Sequence, residues 1–152
     1  MASISYGRQY IDNKDISSVT QSLKKEKLTT GDQVDKFEKN LKKYLKCKYA
    51  LSCNSGTSAL FIAYQALRTN KKSNIIMPAI NFVASYRTAK FFSSNIYLSD
   101  VDPLTGQMTP KNLVYFIKKF NLKKIDIVNT MYLGGNPFYI KEFFKLKKKY
   151  NF

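Results

Sequence analysis

Apolar residues recur at helical spacing near the start of the chain. Ile16, Val19 and Leu23 share one face behind Asp12/Asn13, and Val34, Phe37, Leu41 and Tyr44 share another behind Asp32. This predicts two amphipathic helices. In the turn Leu28 to Asp32 between them, Gly31 permits a sharp bend and Asp32 is placed to accept from the free amides of the second helix. The pattern then changes to short apolar runs, each followed by a helical stretch. Strands are expected at Tyr49 to Cys53, Asn74 to Met77, Ile96 to Leu98 and Ile125 to Met131. Helices are expected at Gly56 to Leu67, Phe82 to Phe92, Pro110 to about Phe120 behind a Thr109 cap, and Tyr139 to Tyr150. The β-α-β rhythm implies an α/β fold, a mixed, mostly parallel sheet flanked by helices. The sequence stops at KKYNF, where that rhythm asks for another strand, so the sheet is expected to be truncated. The expected organisation is one domain overall, with a helical segment at 1–45 leading into an incomplete large domain at 46–152.

Composition narrows the chemistry. The chain has 152 residues and no His, which removes Ser-His and Cys-His nucleophile pairs, His-bound zinc and imidazole bases. Acid–base work falls to Lys, Tyr, Asp, Glu or a cofactor. Lys and Arg number 26 against 10 Asp and Glu, for a net charge of +16, yet only Arg8, Arg68 and Arg87 are arginines. A reader of nucleic acid would carry more Arg for bidentate contacts. The lysines therefore read either as a solvated basic surface or as a functional anion surface. Cys47 and Cys53 lack metal-ligand spacing and read as reduced, packed thiols. No window approaches the roughly 20 apolar residues of a membrane span, and MASISYGRQYI has no apolar leader, so the cytoplasm is expected. The basic amphipathic stretch Phe138 to Tyr150 reads as a covering helix, with a membrane-surface helix as the other option.

Three segments could carry chemistry. In CNSGTSAL, Cys53 to Leu60, a small polar turn opens an apolar helix. Free amides at a helix N-terminus beside a glycine suit a phosphate, and Ser55 or Thr57 can add a hydroxyl. The plainer reading is capping by Ser55. The spacing is neither a Walker loop nor GxGxxG. In MPAINFVAS, Met77 to Ser85, Phe82 stands past the end of a strand, where a ring can stack on a planar cofactor or simply fill the core. MYLGGNP, Met131 to Pro137, is a glycine-rich loop or only a turn.

Taken in order, YGRQYID, LTTG, KFEKNLKKYLKCKYAL, NSGTSAL, PAINFVAS, DVDPLTGQMTP and YLGGNP resemble the N-terminal part of the DegT-type sugar aminotransferases, from about Tyr6 onward. Within that family the likeness is to transaminases that make 4-amino-sugars on UDP-sugars for pseudaminic acid. The resemblance implies the pyridoxal-phosphate-dependent transferase fold of type I, with pyridoxal 5'-phosphate as cofactor. It implies that Ser55, Gly56 and Thr57 hold the cofactor phosphate and that Phe82 stacks on the pyridine ring. Tyr6, Glu26, Lys27, Leu28 and Thr29 match the segment that lines the substrate pocket. Expected partners are a nucleotide sugar, an amino donor such as glutamate and a second subunit in a homodimer, with no membrane partner and nucleic acid disfavoured. Two departures accompany the match. Met131 stands near a position that is commonly His in the family. The Asp that pairs with the pyridinium nitrogen and the Lys that forms the Schiff base belong to family regions outside these 152 residues, so no catalytic residue is assigned and the chain alone is expected to be inactive. A family variant with His for that Lys dehydrates the sugar instead. The rival readings are a basic anion- or RNA-binding α/β protein, and the non-catalytic half of a split enzyme.

Overall fold

The computed structural model describes residues 7–29, 31–93 and 95–152. The chain divides into two compact units, Met1–Ser52 and Cys53–Phe152.

The first unit holds two helices, α1 (Asn13–Leu23) and α2 (Asp32–Leu45). Asp12 caps α1 in a capping box, accepting from the amides of Lys14 and Asp15 while the Asp15 carboxylate accepts from the Asp12 N–H. The cap of α2 departs from expectation. Gly31 is the N-cap and makes no side-chain bond, whereas Asp32 is already helical. From the first helical position its carboxylate does not accept from the helix amides and instead takes the ammonium groups of Lys25, at 2.7 Å, and Lys36. Gly31 is required for a steric reason, since a Cβ there would lie 2.6 Å from the carbonyl oxygen of Lys27. The strand expected at Tyr49 to Cys53 does not form. No strand pairs with it among the described residues, Tyr49 and Leu51 are exposed, and the Ser52 amide donates to Glu38 Oε1 at 2.7 Å.

In the second unit the β-α-β rhythm is realised. The order is α3 (Gly56–Ala66), β1 (Asn74–Pro78), α4 (Val83–Phe92), β2 (Asn95–Ser99), α5 (Pro110–Lys119), β3 (Ile127–Val128), a single 3-10 turn at Leu133–Gly135, and α6 (Ile140–Tyr150). All pairing is parallel, in the order β2-β1-β3, with Ile75 opposite both Ile96 and Ile127. Strand β3 is shorter than the run Ile125 to Met131, because among the described residues it pairs with β1 alone and at just two positions.

Central β1 is buried on both faces, and its alternation divides the core in two. Ile76 packs with Met108, Leu113, Ile117, Ile125 and Phe143. Ile75 and Met77 point the other way, against Tyr64 and Ala89. Helices α5 and α6 therefore cover one face, and α3 and α4 the other. Each fully buried Ile or Leu here contributes about 1.5–3 kcal/mol of transfer free energy. The Thr109 and Asn112 side chains cap α5 reciprocally, with Pro110 at its first position. The path from β1 to β2 runs opposite to that from β2 to β3, and right-handed crossovers then require α4 and α5 on opposite faces, as found. This order puts the topological switch between β1 and β3, at the carboxyl ends of the strands. Among the described residues no helix is long and apolar enough to cross a membrane.

Candidate functional site

The switch point is flanked by the segments that leave β1 and β3. After β1, the chain turns at Pro78 and runs through Asn81 to Phe82, the N-cap of α4 (φ −68, ψ 138). The Ala79 amide donates to the Ser99 carbonyl at 2.8 Å, holding this turn on β2. Phe82 is 74% exposed, so it is no part of the core and its ring is available. One residue before it, Asn81 Oδ1 accepts from the buried Ser85 hydroxyl at 3.1 Å, while Asn81 Nδ2 is buried with no partner among the described residues. A buried orphan donor is costly, and Thr69 Oγ1, on the loop that enters β1, is unpartnered in the same way among the described residues.

Helix α3 lies on the same layer as α4, joined through Phe61, Phe91 and Phe92 with ring centroids 4.7–5.2 Å apart. Its C-terminus feeds the start of β1, so its N-terminus rises at the carboxyl edge. There Ser55 Oγ accepts from the Ser58 amide at 3.1 Å, and Ser58 Oγ donates to Asn54 Oδ1 at 2.7 Å. Simple capping by Ser55 is thus present, and it leaves the amides of Gly56 and Thr57 and the Thr57 hydroxyl without a partner among the described residues. A Cβ at Gly56 would meet nothing within 4 Å, so the space beside these donors is open and a side chain would occupy it. No Asp or Glu occurs between Glu38 and Asp100, and the helix dipole adds positive potential. These donors suit a phosphate, and an exposed ring at the neighbouring helix start suits a flat heterocycle.

After β3, the Asn129 amide donates to the Ile76 carbonyl at 2.8 Å, and its side-chain Nδ2 donates to the hydroxyl of Tyr64 on α3 at 2.8 Å. This bond ties the helix that presents the donors to the sheet. Burial pushes the Tyr64 hydroxyl pKa up, partly offset by the bond from Asn129. The glycine-rich loop beyond is a 3-10 turn with positive φ at Gly134 and Gly135. Buried Gln107 pins it, Nε2 donating to the carbonyls of Leu133 at 3.2 Å and Asn136 at 3.0 Å. Tyr64, Asn81, Gln107 and Asn129 are absent from the sequence-level candidates. Their partners lie far along the chain or are missing, and only the unusual polar atoms facing a core hinted at them.

In the first unit, Glu26, Lys27, Leu28 and Thr29 lie in the turn between α1 and α2, and all four are exposed. Lys27 and Leu28 line a groove of about 330 Å³ with Val19, Leu23 and Val34. The Ser52 amide and hydroxyl both donate to Glu38, holding its pKa below the ordinary value. Tyr6 lies outside the described residues. Cys47 and Cys53 are free thiols, but exposed rather than packed, because neither sits on an element that faces a core.

With this geometry in view, the family model described as the DegT/DnrJ/EryC1/StrS aminotransferase family matches residues 9–152. The chain belongs to that family. It is 36% identical, over 148 residues, to the UDP-4-amino-4,6-dideoxy-N-acetyl-beta-L-altrosamine transaminase of Campylobacter jejuni, covering 97% of this chain and 39% of that one. The structure superposes on Helicobacter pylori PseC, an aminotransferase involved in the biosynthesis of pseudoaminic acid, with a TM-score of 0.84, 24% identity and coverage of 97% and 39%. It superposes on the putative sugar aminotransferase Spr1654 from Streptococcus pneumoniae in its PMP form with a TM-score of 0.83 and 23% identity, over 96% of this chain and 36% of that one. The same neighbour is known in a PLP form. The chain thus spans little more than a third of these relatives, and its α/β architecture is that of the corresponding portion of an aminotransferase.

Proposed function

We propose that this chain forms the cofactor-phosphate and ring-stacking part of a pyridoxal-phosphate-dependent nucleotide-sugar aminotransferase. The observation that carries the reading is the pair of unpartnered amides at Gly56 and Thr57, beside open space where a Cβ on Gly56 would meet nothing within 4 Å, in a chain of this family. When bound, the cofactor supplies an electron sink for moving an amino group from an amino acid to a keto sugar. Ser55 fixes the helix start, Gly56 and Thr57 donate to the phosphate, and Phe82 covers one face of the ring. Asn81, next to Phe82 in the chain, keeps a buried Nδ2 donor without a partner among the described residues. Tyr6 and Glu26 to Thr29 line the path of the nucleotide sugar, whose amino donor is an amino acid such as glutamate. The complete protein works as a homodimer in the cytoplasm, with residues 1–45 leading into the cofactor domain at 46–152. No residue here is assigned the covalent anchor or the ring-nitrogen partner, so the chain binds without turning over.

Binding is best tested with pyridoxine 5'-phosphate, which lacks the aldehyde and cannot react with any of the 23 lysines. Thr57→Val removes one donor to a charged acceptor, worth about 1.5–3 kcal/mol, and should weaken binding roughly tenfold or more. Gly56→Val should abolish binding by filling the cradle, and Phe82→Ala should weaken both the phosphate ester and free pyridoxine. Unchanged affinity in all three variants would remove the site assignment.

A further inference from the structure

The second unit is electrically polarised along its strands. Each helix that crosses between parallel strands runs antiparallel to them, so its C-terminal end lies at the amino edge of the sheet, opposite the candidate cofactor site. Helix α6 leads into no described strand, but its start shares a cavity with the start of α5, Tyr139 and Glu142 lining it with Thr109 and Pro110, and it packs beside α5 on the same face. Helix α5 ends in Lys118 and Lys119, and the last turn of α6 carries Lys147, Lys148 and Lys149. The loops entering β1 and β3 bring Lys71, Lys72, Lys123 and Lys124 to the same edge. All nine are exposed, and the only acid there is Asp126, held at 2.8 Å by Lys124, which brings the Asp126 carboxyl below its ordinary pKa despite its burial. The remaining acids of the unit, Asp100, Asp102 and Glu142, stand at the carboxyl end. Lysine at helix C-termini complements the helix dipole, which accounts for the α5 and α6 residues and for Lys71, whose ammonium donates to the Phe91 carbonyl at the end of α4 at 3.4 Å; Lys124 pairs with Asp126, which leaves Lys72 and Lys123 in the loops with neither explanation.

The same edge exposes large apolar side chains where helices end. Leu67 after α3 is 62% exposed, Phe91 in the last turn of α4 is 66% exposed and Phe120 after α5 is 53% exposed. Phe91 packs one side of its ring on Phe61 and Phe92, and Phe120 on Phe116, and each leaves the remainder in solvent. Lysines at the same edge as partly exposed Leu and Phe form an interfacial chemistry: the exposed apolar atoms enter the headgroup boundary while the ammonium groups stay in water. Arg is nearly absent from this edge, only Arg68 lying there, and lysine is a strongly hydrated point charge suited to a diffuse anionic surface.

We propose that the amino edge of the sheet is a docking surface for an anionic lipid bilayer, which leaves the carboxyl edge facing the aqueous phase. This departs from the sequence expectation of no membrane partner, because the lysines and apolar tips come from separate stretches of chain and meet only in the fold. It is independent of the cofactor reading. The test is sedimentation of the 152-residue chain with vesicles of phosphatidylcholine alone or mixed with phosphatidylserine, at low and at physiological salt. The chain should bind the mixed vesicles, weaken as salt rises, and ignore phosphatidylcholine. A lysine close to such a surface is worth roughly fivefold in affinity. The variant K118Q/K119Q/K147Q/K148Q should therefore lose on the order of a hundredfold or more, and F91S/F120S should also weaken binding. The charge-matched control K39Q/K42Q/K43Q/K46Q, in the first unit, should change little. All are exposed positions, and circular dichroism reports folding. Equal loss in the control would reduce the effect to net charge and overturn the proposal. So would failure to bind the mixed vesicles at low salt, or tighter binding to a short RNA duplex with F91S/F120S unaffected on vesicles.

Discussion

Replacing Tyr64 by Phe removes one oxygen from the interior and keeps the ring. Tyr64 is 3% exposed, and its hydroxyl accepts from Asn129 Nδ2 at 2.8 Å. Contact with Phe92, at a centroid distance of 6.2 Å, survives the change. The loss is that of the partner of a part-buried amide donor, a penalty of about 1–3 kcal/mol. In a unit of about 100 residues each kcal/mol shifts the midpoint by roughly 4–8 °C. Urea unfolding should show a lower midpoint with an unchanged slope, since the surface exposed on unfolding is the same. Adding Asn129→Leu to Tyr64→Phe should recover part of the loss, because the unpaired donor is then gone. The pH dependence has a definite sign. Burial raises the folded-state pKa of Tyr64 above the ordinary tyrosine value. The stability this group contributes is fully present below about pH 10 and is lost as pH rises through the raised value. That alkaline loss should be missing in Tyr64→Phe. A variant within about 0.5 kcal/mol of wild type, with no coupling to Asn129 in a double-mutant cycle, would refute the reasoning.

Further outcomes rest on the same packing. Leu113 is fully buried between α5 and β1, so Leu113→Ala should cost about 2–5 kcal/mol in urea unfolding, and a cost under about 1 kcal/mol would mean that the core on this face is misassigned. Thr109→Ala breaks the α5 capping box and should cost about 1 kcal/mol, with hydrogen exchange quickening first at Asn112. Asp32 should titrate at about 2 by carboxyl NMR, because Lys25 and Lys36 hydrogen-bond to it, and Lys25→Met with Lys36→Met should return it toward the ordinary value. Its contribution to the first unit is present above the unfolded-state pKa and lost as pH falls toward about 2.

Much of the second unit is legible in the sequence, and for local reasons. Ser55 before an apolar helix and Thr109-Pro110 before α5 are start signals that act within four residues, so a short window contains all of the information. The apolar runs of β1 and β2 are legible because a buried strand needs nothing beyond continuity. Tyr49 to Cys53 has the same continuity and is no strand, since pairing depends on a partner elsewhere and periodicity is blind to it. Asp32 misleads for a geometric reason: a shift of one residue at a helix start turns a cap into a first-turn carboxylate. At the site, the small polar turn and Phe82 carry visible signals, whereas the bond between Tyr64 and Asn129 joins residues 65 positions apart and no local pattern announces it. Gln107 is hidden likewise, its role arising only where the loop at Leu133–Gly135 folds over it.

The central claim is that the N-termini of α3 and α4 form one cofactor subsite. Amide and aromatic NMR shifts of the chain during titration with pyridoxine 5'-phosphate test it most directly. The account predicts the largest movements at the amides of Gly56 and Thr57, at the Asn81 side-chain amide and at the Phe82 ring, with saturation at one equivalent. Shifts confined to Lys118, Lys119 and Lys147 to Lys149, growing without saturation, would contradict it and leave the chain a basic anion binder.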